Sequence, residues 1–244
     1  MAPPPPAYDE AQPLQFGGAQ PNPPTFDHAA AVVLPVPLDR TTSYVPGTRN
    51  GPRELLAASS QVELWDEEIG VDVHDVGILT LPEMDVTTGS MDDVLALLRR
   101  VAGEILGANK FLVTLGGEHS MTSSLVAAAA ARHRGLTVLQ IDAHADLRDT
   151  YQSERHSHAC AMRRTLEAAP LVQVGIRNIS AEEISAVPAL ATTIFYDWNM
   201  REDPGWMDRV EGALSDTVYI TIDLDGLDPA LMPAVGTPEP GGLS

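Results

Sequence analysis

The sequence is poor in cysteine, in aromatic residues and in positive charge, and it has no long apolar run. Cys160 is the only cysteine in 244 residues. That excludes an intramolecular disulfide framework and fits a reducing compartment, so a cytoplasmic protein is the expectation. No apolar stretch approaches the roughly 18–20 residues of a membrane span. The opening MAPPPPAYDE has neither the basic flank nor the apolar core of a secretory signal. Fifteen basic residues face 34 acidic ones, a formal net charge of −19. This balance argues against nucleic acid or an anionic membrane as a partner and suits a cationic ligand or bound metal ions. Most of those carboxylates need do no more than keep the surface soluble. At 44% hydrophobic and 20% charged residues, the composition is that of a globular chain able to bury a large core without disulfides.

Proline is plentiful but unevenly placed. Eight of the 20 prolines fall in the first 24 residues, so residues 1–25 read as a flexible proline-rich arm and residues 26–244 as one domain. Beyond the arm, short apolar runs alternate with helical patterns. Candidate strands are Ala30–Val36, Val71–Val76, Phe111–Leu115, Leu136–Ile141, Leu171–Ile176, Thr193–Tyr196 and Val218–Ile222. Their nearly continuous apolar character is that of strands covered on both faces. Pro52 suits a first helical turn, Ser90 with Asp93 and Ser180 with Glu183 resemble capping boxes, and Ser124–Arg132 is rich in alanine. Strand–helix alternation predicts an α/β fold, a three-layer α/β/α sandwich with a mainly parallel sheet, in which ligands gather at the carboxyl ends of strands.

Three of those strand ends carry metal-ligand chemistry. Phe111–Leu115 runs into GGEHS with His119, Leu136–Ile141 into DAHAD with Asp142, His144 and Asp146, and Val218–Ile222 into Asp223 and Asp225. Alternate residues share one side of an extended chain, so Asp142, His144 and Asp146 converge if the backbone stays extended, as do Asp223 and Asp225. Each motif has a plain alternative: a hydrogen-bonded structural histidine, a solvated loop, an Asp-Gly turn. Together they place four carboxylates and two imidazoles at one rim. Four buried carboxylates repel one another unless cations lie between them. Six ligands, some bridging, suit two metals and are too many for one tetrahedral zinc. The oxygen-rich set with two histidines favours manganese. Two ions sharing a water imply metal-assisted hydrolysis.

These motifs resemble the ureohydrolase family, which contains arginase, agmatinase and their relatives. The likeness runs from about Val32 to the end, through the stretch Tyr44 to Arg53, GGEHS at 116–120, DAHADLRD at 142–149, SHACAMRR at 157–164, IDLDGLDP at 222–229 and TPEPGGLS at 237–244. The resemblance implies an arginase-like fold and two Mn2+ per subunit. One would be held by His119, Asp142, Asp146 and Asp223, the other by His144, Asp142, Asp223 and Asp225, with Asp142 and Asp223 bridging. It implies that a hydroxide shared by the metals attacks the guanidinium carbon, that Asp146 passes its proton to the leaving amine, and that His158 acts as a proton shuttle. His156 reads as a loop residue and Cys160 as a buried, inert thiol.

The aspartate with which arginases hold the substrate's ammonium is replaced by Ser180, three residues after Arg177. The loop from Asp146 to His158 is similar to that of bacterial agmatinases. Hydrolysis of agmatine to putrescine and urea is therefore the leading expectation, with a small cationic guanidino substrate. A guanidino-acid hydrolase, whose substrate carboxylate Arg148 or Arg155 would meet, is the alternative. The family continues past the equivalent of Ser244 into a further internal strand whose glutamate grips the guanidinium, so a fold incomplete at the C-terminus is expected. A catalytically silent metal-binding subunit is the second class of function this leaves open. A homo-oligomer, trimer or hexamer, is implied by the resemblance alone.

Overall fold

The computed structural model describes residues 14–20 and 22–244. The first 13 residues of the proline-rich arm lie outside the described residues. Further along that segment the chain touches the body: Phe16 N donates to Thr80 Oγ1 and Gly17 N to Ser59 Oγ, each at 3.0 Å, and the Phe16 ring packs beside Val33, Leu56 and Ile78.

Parallel strands form the middle layer. β1 (Ala31–Val36) lies between β4 (Ile78–Thr80) and β5 (Phe111–Gly116). A second parallel sheet runs β8–β7–β6–β9, made of Thr192–Tyr196, Leu171–Ile176, Thr137–Ile141 and Val218–Ile222. Trp65–Asp66 (β2) and Val71–Asp72 (β3) make a short antiparallel ribbon.

The alternation of strand side chains sorts the helices into two outer layers. Val32, Leu34 and Val36 bury against α2 (Met91–Gly107) and α3 (Thr122–Arg132). Val33, facing the other way, meets Leu56 of α1 (Gly51–Ser59). In the second sheet Val138 and Leu171 pack on α3 and α4 (Ala161–Thr165). Val172 and Val174 pack on α6 (Asp197–Glu202) and α7 (Trp206–Ala213). This is a three-layer α/β/α arrangement. Both capping boxes form, Ser90 with Asp93 at α2 and Ser180 with Glu183 at α5 (Ala181–Ala186). Ser180 is thus occupied as a helix cap.

One strand expectation is corrected. Val71–Val76 is not a sheet strand: only Val71 and Asp72 are extended, and Val73–Val76 turn as a 3-10 helix. The Asp72 carboxylate caps that turn by accepting from His74 N at 2.9 Å. Gly77, at φ 71°, then redirects the chain into β4, the strand that pairs with β1.

Among the described residues, β5 has no partner on the side away from β1, and β9 has none on the side away from β6. Phe111, Ile220 and Ile222 on these strands are exposed. No helix among the described residues is long and apolar enough to cross a membrane.

Candidate metal centre

The carboxyl ends of β5, β6 and β9 meet, and the six residues singled out there lie together. His119 opens a 3-10 turn directly after β5. Its Nε2 is 2.9 Å from Thr221 Oγ1 on β9, which fixes the ring. Its Nδ1 then faces Asp142 Oδ2 at 3.0 Å, Asp146 Oδ2 at 3.3 Å and Asp223 Oδ2 at 3.5 Å. His144 Nδ1 lies 3.1 Å from Asp225 Oδ2 and 3.7 Å from Asp142 Oδ1. His119, Asp142 and Asp223 form one compact ligand group, and Asp142, His144 and Asp225 form another. Asp142 belongs to both, one oxygen turned to each.

Local backbone contacts build this arrangement. Asp142 Oδ1 accepts from His144 N at 2.7 Å, and Asp225 Oδ1 accepts from Ala143 N at 3.1 Å. Asp223 Oδ1 accepts from Asp225 N, capping the turn that carries Asp225. The DAHAD run is not extended throughout. Asp146 adopts φ 53°, a left-handed conformation that aspartate tolerates better than most residues, and this turn swings its carboxylate toward His119. Its carbonyl accepts from Met162 N and Arg163 N, which pins the loop to α4. Arg177 donates to the carbonyls of Asp225, Leu227 and Glu239, stitching the Asp225 turn to the TPEPGG segment.

The residues fit divalent cations on an observation internal to the cluster. His119 Nδ1 is buried and has no hydrogen-bond partner, although three carboxylate oxygens surround it. A divalent cation between Nδ1 and those three carboxylate oxygens would satisfy all of them. The titration of the metal-free cluster shows the same frustration. Burial opposes charging the two imidazoles, yet Asp142 with Asp146, and Asp142 with Asp225, outweigh it; His119 is raised well above its ordinary value and His144 to about 11. Burial raises Asp146 to about 7, reinforced by the charge of Asp142. Asp223 is a third exposed, but desolvation of its carboxyl and the charges of Asp142 and Asp225 lift it to about 7 as well. Burial opposes ionising Asp142, but the neighbouring His119 and His144 imidazoles and the His144 N–H hold it low.

His158 begins the 3-10 turn His158–Cys160, half-buried beside the site. Its backbone N donates to Thr41 Oγ1 at 3.0 Å, and its Nδ1 lies 3.2 Å from Ser157 Oγ and 3.4 Å from Thr41 Oγ1. The Tyr151 ring meets it edge-on at 5.8 Å. Burial pushes the imidazole below its ordinary value, with Glu118 opposing. His156 pairs instead with Asp92, at 3.2 Å. Cys160 is buried and its thiol is pushed up to about 11 by burial. Arg155 pairs with Glu167 at 2.7 Å, and Arg148 lies 3.9 Å from Glu183 and over the Tyr151 ring.

Sequence reasoning missed several polar residues around the cage. Buried Glu118 accepts from the backbone N of Arg40 and of Thr41 and from the hydroxyls of Thr41 and Ser120. Glu239 Oε1 lies 3.6 Å from His144 Nε2. Gln140 and Gln173 are fully buried. The available signal for the glutamines was a lone amide inside an otherwise apolar strand.

The site is a carboxylate-rich cage of candidate metal ligands at the strand ends of a parallel α/β sheet. The chain belongs to the arginase family, which matches residues 29–244. It is 40% identical to the N(1)-aminopropylagmatine ureohydrolase of Synechocystis sp. over 90% of this chain and 74% of that protein. It is 33% identical to the agmatinase of Pyrococcus horikoshii over 90% of this chain and 77% of that one. Among solved structures, the agmatine ureohydrolase of Thermoplasma volcanium superposes with a TM-score of 0.84 at 30% identity, covering 91% of this chain and 75% of that one. The chain is a ureohydrolase of this family with an arginase-like fold.

Proposed function

We propose that the chain hydrolyses the guanidino group of a linear guanidino-polyamine, releasing urea and an amine, at a pair of manganese ions. The observation that carries this reading is the split of the Asp142 carboxylate between two imidazole groups, Oδ2 toward His119 and Oδ1 toward His144. The first cation would be held by His119, Asp142, Asp146 and Asp223, and the second by His144, Asp142, Asp223 and Asp225. Two divalent cations bound there would supply Lewis acidity and lower the pKa of bound water. By the family resemblance, Asp146 would pass the proton of the attacking hydroxide to the leaving amine. His158, neutral at pH 7 because burial lowers its pKa, serves as the proton shuttle toward solvent. The chain's formal charge of −19 suits a dicationic substrate, and Ser180, committed to its helix cap, offers no carboxylate to an amino acid's ammonium.

Agmatine is the simplest substrate of this kind. The aminopropyl-extended form of agmatine is a second reading, favoured by the 40% identity to the aminopropylagmatine enzyme against 33% to the agmatinase. The test is urea release from agmatine, N1-aminopropylagmatine, arginine and guanidinobutyrate by the Mn2+-loaded chain. Urea from either agmatine compound, well above that from the two acids, is expected, and the larger kcat/KM decides between the first two. Two bound metals with no urea from any of the four would make the chain a metal-binding subunit and overturn the enzymatic reading. The chain is further proposed to work in the cytoplasm as a homo-oligomer.

A further inference from the structure

The most deeply buried amides of the second sheet lie outside the six-residue cluster and are joined to it. Gln140 on β6 and Gln173 on β7 sit in strands otherwise dominated by apolar side chains, and Thr192 opens the neighbouring β8. Thr192 Oγ1 donates to Gln173 Oε1 at 2.9 Å. Gln173 Nε2 donates to Gln140 Oε1 and, at 2.8 Å, to the Ala145 carbonyl. Gln140 Nε2 donates to the His144 carbonyl at 3.1 Å and to Asp142 Oδ2 at 2.7 Å. Each amide nitrogen thus commits both hydrogens, and each amide oxygen accepts one. Turning Gln140 over would set its oxygen against two acceptors, so the network fixes its own sense. Donors point one way only, from the β8 side of the sheet to Asp142.

We propose that Thr192, Gln173 and Gln140 are positioning residues that hold the Asp142 carboxylate with one oxygen toward each imidazole and thereby set the site's affinity for its two cations; the inference rests on the two-cation reading above. Asp142 Oδ2 faces His119 while Gln140 holds it from behind, and Oδ1 faces His144 while the His144 N–H holds it. Rotation of the carboxylate would break both bonds at once. The donor is neutral, so it orders the anion without adding positive charge that would compete with the metals. Burial keeps water from substituting for the bond between the two glutamines or the one to Asp142, and the aligned dipoles reinforce one another.

The experiment compares the parent chain with Q140M, Q173M and T192V by Mn2+ calorimetry, by the EPR signature of the coupled Mn2+ pair, and by the thermal midpoint of each metal-free form. Q140M should weaken Mn2+ binding by about 10–100-fold and alter the coupled-pair spectrum, with a smaller loss of affinity in Q173M. A role confined to packing would lower the metal-free midpoint and leave the affinity and spectrum alone. Parent affinity for both cations in either glutamine variant overturns the proposal. If neither glutamine variant folds, T192V, which keeps a β-branched side chain on β8, decides: weakened Mn2+ binding supports the chain and unchanged binding refutes it. A parent chain that binds no cation pair removes the two-cation reading and this inference together. A parent that binds two, matched by Q140M, removes the inference alone.

Discussion

Gly116 and Gly117 follow one another at the end of β5, yet alanine should have very different effects at the two positions. A Cβ on Gly117 would stand 1.9 Å from the Leu38 carbonyl oxygen and 2.8 Å from both Leu38 C and N. Ordinary contact begins near 3.4 Å, so backbone would have to move by about 1.5 Å in a layer where interior packing leaves no such slack. The movement falls on the bonds that shape the site's rim: Glu118 N donates to Leu38 O at 2.7 Å, and Glu118 holds Arg40 and Thr41. A Cβ on Gly116 would meet only the Met121 side chain, with Cε at 2.9 Å, and a flexible thioether can swing aside. G117A is therefore expected to cost about 4 kcal/mol or more, which for a chain of this length lowers Tm by roughly 8–16 °C. G116A should cost about 1 kcal/mol or less. Thermal unfolding of the two metal-free variants measures the difference, and metal content should fall in G117A because His119 lies two residues on. Midpoints for the two variants within about 2 °C of each other would refute the steric argument.

D142A and D223A should each abolish binding of the cation pair, read as metal per chain after dialysis; two metals at normal occupancy in either variant would remove the bridging assignment. H158A should lower turnover while sparing metal content, whereas loss of metal would make His158 a ligand. Because burial lowers the His158 pKa, its neutral form is lost only on acidification below about 6.5, and the acid limb of the parent's pH–rate profile that disappears in H158A is the one it controls. Uptake of the cation pair by the metal-free chain at pH 7 should expel protons, more than one per chain. His119 and His144, both raised, give up protons, and Asp146 and Asp223, raised as well, add to the release. Affinity should accordingly rise with pH, and calorimetry in buffers of different ionisation enthalpy that found fewer than one proton released would contradict the account.

Most of the sheet could be read from sequence because its strands are continuous apolar runs, and such runs mark strands buried on both faces. Val71–Val76 failed for a physical reason. Val71, Val73 and Val76 supply the apolar pattern, but after its pairing with Trp65, Asp72 ends the strand by capping the turn Val73–Val76. The strand that pairs with β1 on the side away from β5 is only three residues long, Ile78–Thr80, too short for periodicity to announce it. The helix caps were legible because a capping box is a local contract between a hydroxyl and a carboxylate three residues on. Phe16 was not, since nothing local says that a residue in a proline-rich segment will find Val33, Leu56 and Ile78.

The six cage residues were legible for a different reason, the electrostatic cost of gathering their charges without a counterion. That logic finds charged groups and is blind to neutral ones. Gln140 and Gln173 carry no charge, bind no metal in the proposed scheme and interrupt their strands only once each, yet they supply a buried hydrogen bond to the one carboxylate that faces both imidazoles. Glu118 escaped because its partners, Arg40 and Thr41, are nearly 80 residues away in sequence and meet it only once β1 and β5 pair. Even the convergence of Asp142, His144 and Asp146 was expected by the wrong route. Strict alternation would have aligned them, whereas a left-handed residue at Asp146 divides them, sending Asp146 to His119 while His144 faces Asp225. The departure from an extended chain is what lets one five-residue run serve two ligand groups, so a substitution that forces Asp146 out of that conformation should disturb the His119 side of the cage before the His144 side.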